Sequence, residues 1–176
     1  METLEDYLDF DLKILSIGLN PSSISVEKGY YFANPRNRFW PAFNASEILP
    51  EKFSPSKQSQ DEIFKKYKIG FTDVVKRHSS MGKDLRAADY KKWAPILKVE
   101  IEKYQPKICW FHGKVAVGNY LKYTGSEIKN IDWGRQKFKI KDSIVFVTPN
   151  PSPANAAFSL EVIIDWYREL SVLGKL

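Results

Sequence analysis

Three short apolar runs, each stopped by a chain breaker, constrain this sequence more than any other feature. Residues 12–17 run into Gly18-Leu19-Asn20-Pro21, residues 107–111 (KICWF) into His112-Gly113, and residues 144–148 into Pro149-Asn150-Pro151. Runs this short bounded by turn residues read as buried strands rather than helices. A further strand is expected at 138–140, adjacent to 144–148 across Lys141-Asp142. Helical spacing fills the intervals. Asn37 stands at or near the cap of a helix over 37–46, and a short helix covers 63–67. Trp93, Ile96, Leu97, Ile101 and Tyr104 define a helix over 91–104 that Pro106 stops. Another helix covers 114–123, and Ser159 caps a last one carrying Leu160, Ile163, Ile164, Tyr167 and Leu170. The segment 51–60 is expected as a loop, and 69–77 stands between strand and turn. Strands alternating with helices predict an α/β fold, a single three-layer domain over residues 1–176 with a central, mainly parallel sheet flanked by helices. In such a sheet, ligands bind beyond the carboxyl ends of the strands.

Composition excludes several classes. Hydrophobic content of 43% and aromatic content of 14% argue against disorder. No apolar run approaches the roughly 20 residues of a membrane span, and the acidic N-terminus lacks the basic and apolar regions of a secretory signal. A soluble, monomeric protein of the cytoplasm, associated with the nucleoid, is the expectation. Cys109 is the single cysteine and reads as a small buried hydrophobe. With His78 and His112 the only histidines, no metal and no cofactor are expected; neither histidine has a telling partner in sequence, and both read as structural or DNA-facing. The net charge of +6 is uneven: nine Lys/Arg against five Asp/Glu over 61–92, and five against one over 129–141. That pattern fits either a solvated basic surface or a face for a polyanion.

Two loops at the carboxyl ends of predicted strands carry the unusual chemistry. The first, GLNPSSISVEKGYYFANPRNRFW (18–40), packs Tyr30, Tyr31, Phe32, Phe39 and Trp40 among Asn and Arg, which suits a grip on something flat. It is not the G-x-G-x-x-G of a dinucleotide site. The second is TPNPSPAN (148–155).

Together these loops resemble the mismatch-specific uracil/thymine-DNA glycosylases, a branch of the uracil-DNA glycosylase superfamily. The first is similar to that family's G-I-N-P-G motif with its aromatic segment and N-x-F-W, the second to its N-P-S loop. GFTDVVKR (70–77), Gly113-Lys114 and WGRQ (133–136) fall between them in the family's order, so the likeness spans about 12–170. The resemblance implies a monofunctional glycosylase that flips a damaged base from DNA and hydrolyses its N-glycosidic bond, uracil first and hypoxanthine next. Asn20 would position the attacking water; an amide oxygen can accept from water but cannot take its proton. Phe32 would stack on the flipped base, with Leu19, Ser22 and Tyr31 shaping the base pocket and Tyr30 close by. Asp73 would either help orient water or brace its turn. Asn150, Ser152, Pro153, Ala154 and Asn155 would face DNA, with Lys76, Arg77 and Arg135 on phosphates.

Two departures matter. The family uses a bulky wedge after N-P-S, where this chain has Pro153-Ala154-Asn155-Ala156; that points to single-stranded or mismatched DNA as the partner. Ser22 replaces the family's glycine beside the pyrimidine C5 edge, which disfavours thymine. Two other classes fit the residues: a non-catalytic nucleic-acid-binding module on the same fold, and a small-molecule nucleoside hydrolase, for which the expected cluster of carboxylates is missing.

Overall fold

A computed structural model describes residues 3–175. In chain order its elements are β1 (Ile14–Gly18), α1 (Ser23–Lys28), α2 (Phe39–Ala45), α3 (Lys57–Tyr67), β2 (Ile69–Asp73), α4 (Ala87–Tyr104), β3 (Ile108–His112), α5 (Lys114–Tyr123), β4 (Gly134–Ile140), β5 (Ser143–Thr148) and α6 (Leu160–Gly174). The sheet order is β2-β1-β3-β5-β4. The first four strands are mutually parallel, and β4 closes one edge antiparallel to β5. The expected three-layer α/β class is what forms.

Both faces of the sheet are covered, which is why the four parallel strands are buried almost along their whole length, whereas the antiparallel edge strand β4 alternates buried and exposed residues. One face presents Ile14, Ile69, Phe71, Ile108, Trp110 and Phe146 to Phe39, Trp40 and Phe43 of α2 and to Ile163, Tyr167 and Leu170 of α6. The other presents Leu15, Ile17, Cys109, Phe111, Val145 and Val147 to Leu97 and Ile101 of α4 and to Val117 and Leu121 of α5. Cys109 is buried, as expected.

Several element boundaries differ from the sequence reading. Residues 69–77 resolve into strand β2 followed by turns. The expected loop over 51–60 ends early, because Ser56 caps α3 through a hydrogen bond from the Ser59 N–H. The helix expected from residue 91 begins at Ala87, with Asp89 accepting from the Arg86 N–H. In that helix Ile96 is exposed and Tyr90, Ala94, Leu97 and Ile101 are the buried face. Helix α1, unforeseen, interrupts the first loop, capped by Ser22 and ended by Gly29 at φ 79°.

Sequential strands lie on opposite sides of β1: β2 joins one edge and β3 the other. The chain therefore leaves β1 in one direction and later returns in the other, opening a crevice at the carboxyl ends.

Candidate active site

The crevice has a floor made of one row of the sheet. Gly18 is in register with Asp73, Ile17 with Phe111, and His112 with Thr148, so Asp73, Gly18, His112 and Thr148 stand level at the ends of four strands. Residues in register across parallel strands project to the same face. Gly18 leaves a gap in this row that no other residue can leave, since a Cβ there would lie 2.4 Å from Asp73 Oδ1. Above the gap is a cavity of about 400 Å³, walled by the first loop, by the turn at 79–82 and by the second loop. That size suits a small flat ligand.

The first loop lines the cavity with Leu19, Asn20, Ser22, Tyr31 and Phe32. Asn20 is fastened by its amide nitrogen, which donates to the Arg77 carbonyl at 3.0 Å and to Ser79 Oγ at 2.8 Å. Ser79 Oγ in turn donates to the Met81 carbonyl, so it is free to accept from Asn20. A flipped amide would set its oxygen against the Arg77 carbonyl oxygen. Asn20 Oδ1 is thus the acceptor left over. Phe32 lies flat on Phe39, with ring centroids 4.0 Å apart and planes 15° from parallel, leaving its other face uncovered by that contact. Its φ of 58° is a conformation that a bulky residue rarely adopts. Tyr31 is deeper, stacked on Phe71 with its hydroxyl donating to the Glu5 carbonyl. Tyr30, expected near the pocket, packs against the core instead. The Ser22 hydroxyl is engaged in capping α1, accepting from the Ser25 N–H at 3.1 Å and donating to Ser25 Oγ at 3.0 Å.

Two titratable groups stand in the floor. Asp73 accepts no hydrogen bond from a described residue, and burial pushes its carboxyl up to about 7; the Lys76 charge opposes the shift and Asp6 adds to it. Burial likewise drives His112 down to about 3, so its imidazole is neutral. No motif marks His112; its place as the last residue of a buried strand before Gly113 is the signal that could have found it.

In the second loop, Asn150 Oδ1 accepts from the Ser152 N–H at 3.0 Å and Asn155 Nδ2 donates to the Asn150 carbonyl at 3.0 Å. Asn150, Ser152, Pro153 and Ala154 line the cavity, while the Asn155 side chain turns back into the loop. The two loops are tied by Arg38, whose guanidinium donates to the carbonyls of Ser152 (2.9 Å), Asn155 (2.8 Å) and Phe158. On the cavity's other rim, Met81 is 45% exposed at a turn that Asp84 Oδ2 holds through the Met81 N–H.

The cations sit elsewhere than expected. Lys76, three residues beyond the end of β2, is buried with its ammonium paired with Asp6 and Thr72, so its charge is already engaged within the fold. Arg77 is exposed but bidentate on Asp89, with donor–acceptor distances of 2.8 Å. Arg135 is an exposed residue of β4 outside the cavity lining. Arg36, which the sequence reading did not single out, lines the mouth, and no ion pair engages it among the described residues. Among the described residues no helix is long and apolar enough to cross a membrane.

The profile of the Uracil DNA glycosylase superfamily matches residues 5–170. The solution NMR structure of a protein from Methanosarcina acetivorans, provisionally assigned as a uracil DNA glycosylase, aligns over 96% of this chain and 97% of that one. Its TM-score is 0.60 at 24% identity, a likeness of fold.

Proposed function

Because the chain belongs to the uracil DNA glycosylase superfamily, and is a DNA glycosylase hydrolysing N-glycosyl bonds, we propose that it acts as a monofunctional enzyme of the mismatch-specific kind. Its substrate is uracil in DNA, with hypoxanthine second, and the product is an abasic site for base-excision repair. The observation that carries this reading is the fastened amide of Asn20, which lines the same cavity as Phe32 and keeps its Oδ1 unengaged among the described residues.

The chemistry follows from those parts. A base flipped from the stack enters the cavity and lies on Phe32, an arrangement worth about 1–3 kcal/mol per stacked base. Water held by Asn20 Oδ1 adds to C1′ as the C1′–N bond breaks and its electron pair leaves with the base. Asn20 cannot take the proton that water sheds. Asp73, with its carboxyl near 7, can take it when ionised, and when protonated can donate to the departing base. Fixed dipoles along the carboxyl edge then need only stabilise a charge that develops in the leaving group. Asn150, Ser152, Pro153 and Ala154 face the DNA, and Arg36 replaces Lys76 and Arg77 as the phosphate contact.

The test is purified protein against end-labelled oligonucleotides carrying uracil, hypoxanthine or thymine, single-stranded and paired, developed by alkaline cleavage. Uracil opposite guanine should be cut faster than thymine opposite guanine, and Ser22→Gly should narrow the gap while costing a few tenths of a kcal/mol through the lost cap. Strand cleavage on no substrate, with DNA still bound, would favour the non-catalytic binding module.

A further inference from the structure

Polar contacts, more than burial, hold the turn between β2 and α4. Of residues 77–84 only Ser79 is buried, and none belongs to a strand or an α-helix. Yet this turn supplies both atoms that fasten Asn20, the Arg77 carbonyl and Ser79 Oγ. The turn must therefore be fixed by something else. On one side it is tied to the first loop, where the Ser79 N–H donates to the Pro21 carbonyl at 3.3 Å. On the other it is tied to α4 by the Arg77 side chain, which takes no part in the cavity lining. The Arg77 guanidinium donates to both carboxylate oxygens of Asp89 at 2.8 Å and to the Asp84 carbonyl at 3.0 Å. Asp89 belongs to the first turn of α4 and also accepts from the Arg86 N–H at 2.8 Å. From there Tyr90, Ala94, Leu97 and Ile101 anchor the helix in the core. One chain of contacts thus runs from a helix packed on the sheet, through a single arginine, to the amide of Asn20.

We infer that Asp89 and Arg77 are positioning residues for base release, a latch that fixes the turn and through it the aim of Asn20. The inference rests on the glycosylase reading above and deepens it, since it names what keeps the water-holding amide in place. Stability alone does not account for the pair. The Arg77 side chain is 45% exposed and that of Asp89 15%, and an ion pair so open to water contributes little to folding. What a fork of two parallel bonds does supply is a fixed direction and distance. Pairing with Arg77 holds the Asp89 carboxyl down to about 2, so it stays ionised from mildly acidic to alkaline pH. The latch also explains why an arginine in a basic segment is withheld from phosphate: three of its N–H donors are committed within the fold.

A double-mutant cycle in single-turnover excision of uracil from a single-stranded oligonucleotide tests the inference. Arg77→Met keeps the backbone carbonyl that Asn20 uses and removes only the guanidinium; Asp89→Asn keeps the shape and removes the charge. Each should slow excision about tenfold or more while Kd for the oligonucleotide moves less than about twofold, since displacing a positioned group by about 1 Å can cost about 100-fold. Arg77→Lys, which keeps the charge without the fork, should recover part of the loss. In an Asn20→Ala background neither substitution should slow the reaction further. Equal losses with and without Asn20 overturn the inference, because the pair would then act elsewhere. Unchanged rates in the single variants overturn it too, as does a raised Kd with an unaltered rate, which would return Arg77 to the phosphates. The Asn20 side-chain amide gives a readout apart from activity: its hydrogens should exchange slowly in ¹H–¹⁵N spectra of the wild type and faster in Arg77→Met. Should the variants fail to fold, the wild type decides, because amide hydrogens exchanging as fast as those of an exposed asparagine overturn the latch. Wild type that releases no base from any substrate refutes the glycosylase reading itself, while the amide exchange still reports on the latch.

Discussion

At Asn20 both amide hydrogens are committed to Arg77 and Ser79, so the side chain has one orientation before substrate arrives. Such preorganisation acts in the transition state more than in binding. Asn20→Ala should lower single-turnover excision by about 100-fold or more while Kd for uracil-containing DNA shifts little; equal losses in rate and affinity would assign Asn20 to binding. Asp73 and His112 make an opposed pair. The Asp73 carboxyl rises from 3.8 to about 7, so between those values the folded chain holds a proton the unfolded chain has released, and stability falls as pH rises. His112 falls from 6.5 to about 3, so there the unfolded chain holds the extra proton, and stability rises with pH. From about pH 4 to 6.5 the two slopes, each up to about 1.4 kcal/mol per pH unit, nearly cancel. Urea midpoints across pH 4 to 8 should therefore rise with pH in Asp73→Asn relative to wild type and fall in His112→Leu. Variants that track the wild-type profile would show that these groups do not titrate so.

Among the elements, β1, β3 and β5 were legible because complete burial made them apolar almost from end to end, whereas β2 carries Thr72 and Asp73 and the first half of β4 is polar and half exposed. The first turns of α3 and α4 were not legible, since Lys57, Gln58 and Ser59, or Ala87, Ala88 and Asp89, carry no apolar stripe and are fixed by caps instead. Helix α1 hides for the same reason in a segment full of turn residues. Asn20 and Phe32, which line the cavity, could be read from a motif. Arg38 could not, because its meaning lies in carbonyls 114 to 120 residues away, and Met81 could not, because only the folded crevice brings it into the same cavity lining as Ala154. That placement bears on how the space left by a flipped base is filled. Apolar side chains such as Met serve as wedges between base steps, whereas Ala154 offers one methyl group. Met81→Ala should slow excision from A·U duplex about tenfold more than from single-stranded DNA, the scale of about 1.4 kcal/mol of lost opening energy. Ala154→Leu should raise the duplex rate with less effect on single strands. Parallel changes on both substrates would remove either residue from this role.

Over the whole molecule, the formal charge of +6 says less than where the cations are free. Lys76 and Arg77 are neutralised within the fold by Asp6 and Asp89, whereas Arg36 at the mouth has no ion-pair partner among the described residues. Binding to an undamaged single strand, followed by anisotropy across a salt series, should lose about one unit of slope in log Kd against log salt in Arg36→Ala and almost none in Arg77→Ala. The reverse pattern would return the phosphate contact to the basic segment around residue 77. The Arg38 clamp also limits how such a protein can be rebuilt. With one guanidinium gripping the Ser152 and Asn155 carbonyls of the second loop and the Phe158 carbonyl just beyond it, and the Arg38 N–H bound to the Pro151 carbonyl at 3.0 Å, the two loops are tied into a single structural module. A chimaera that imports a relative's second loop to change its preferred DNA must import the segment around Arg38 as well, or receive the new sequence without the shape that gave it its properties.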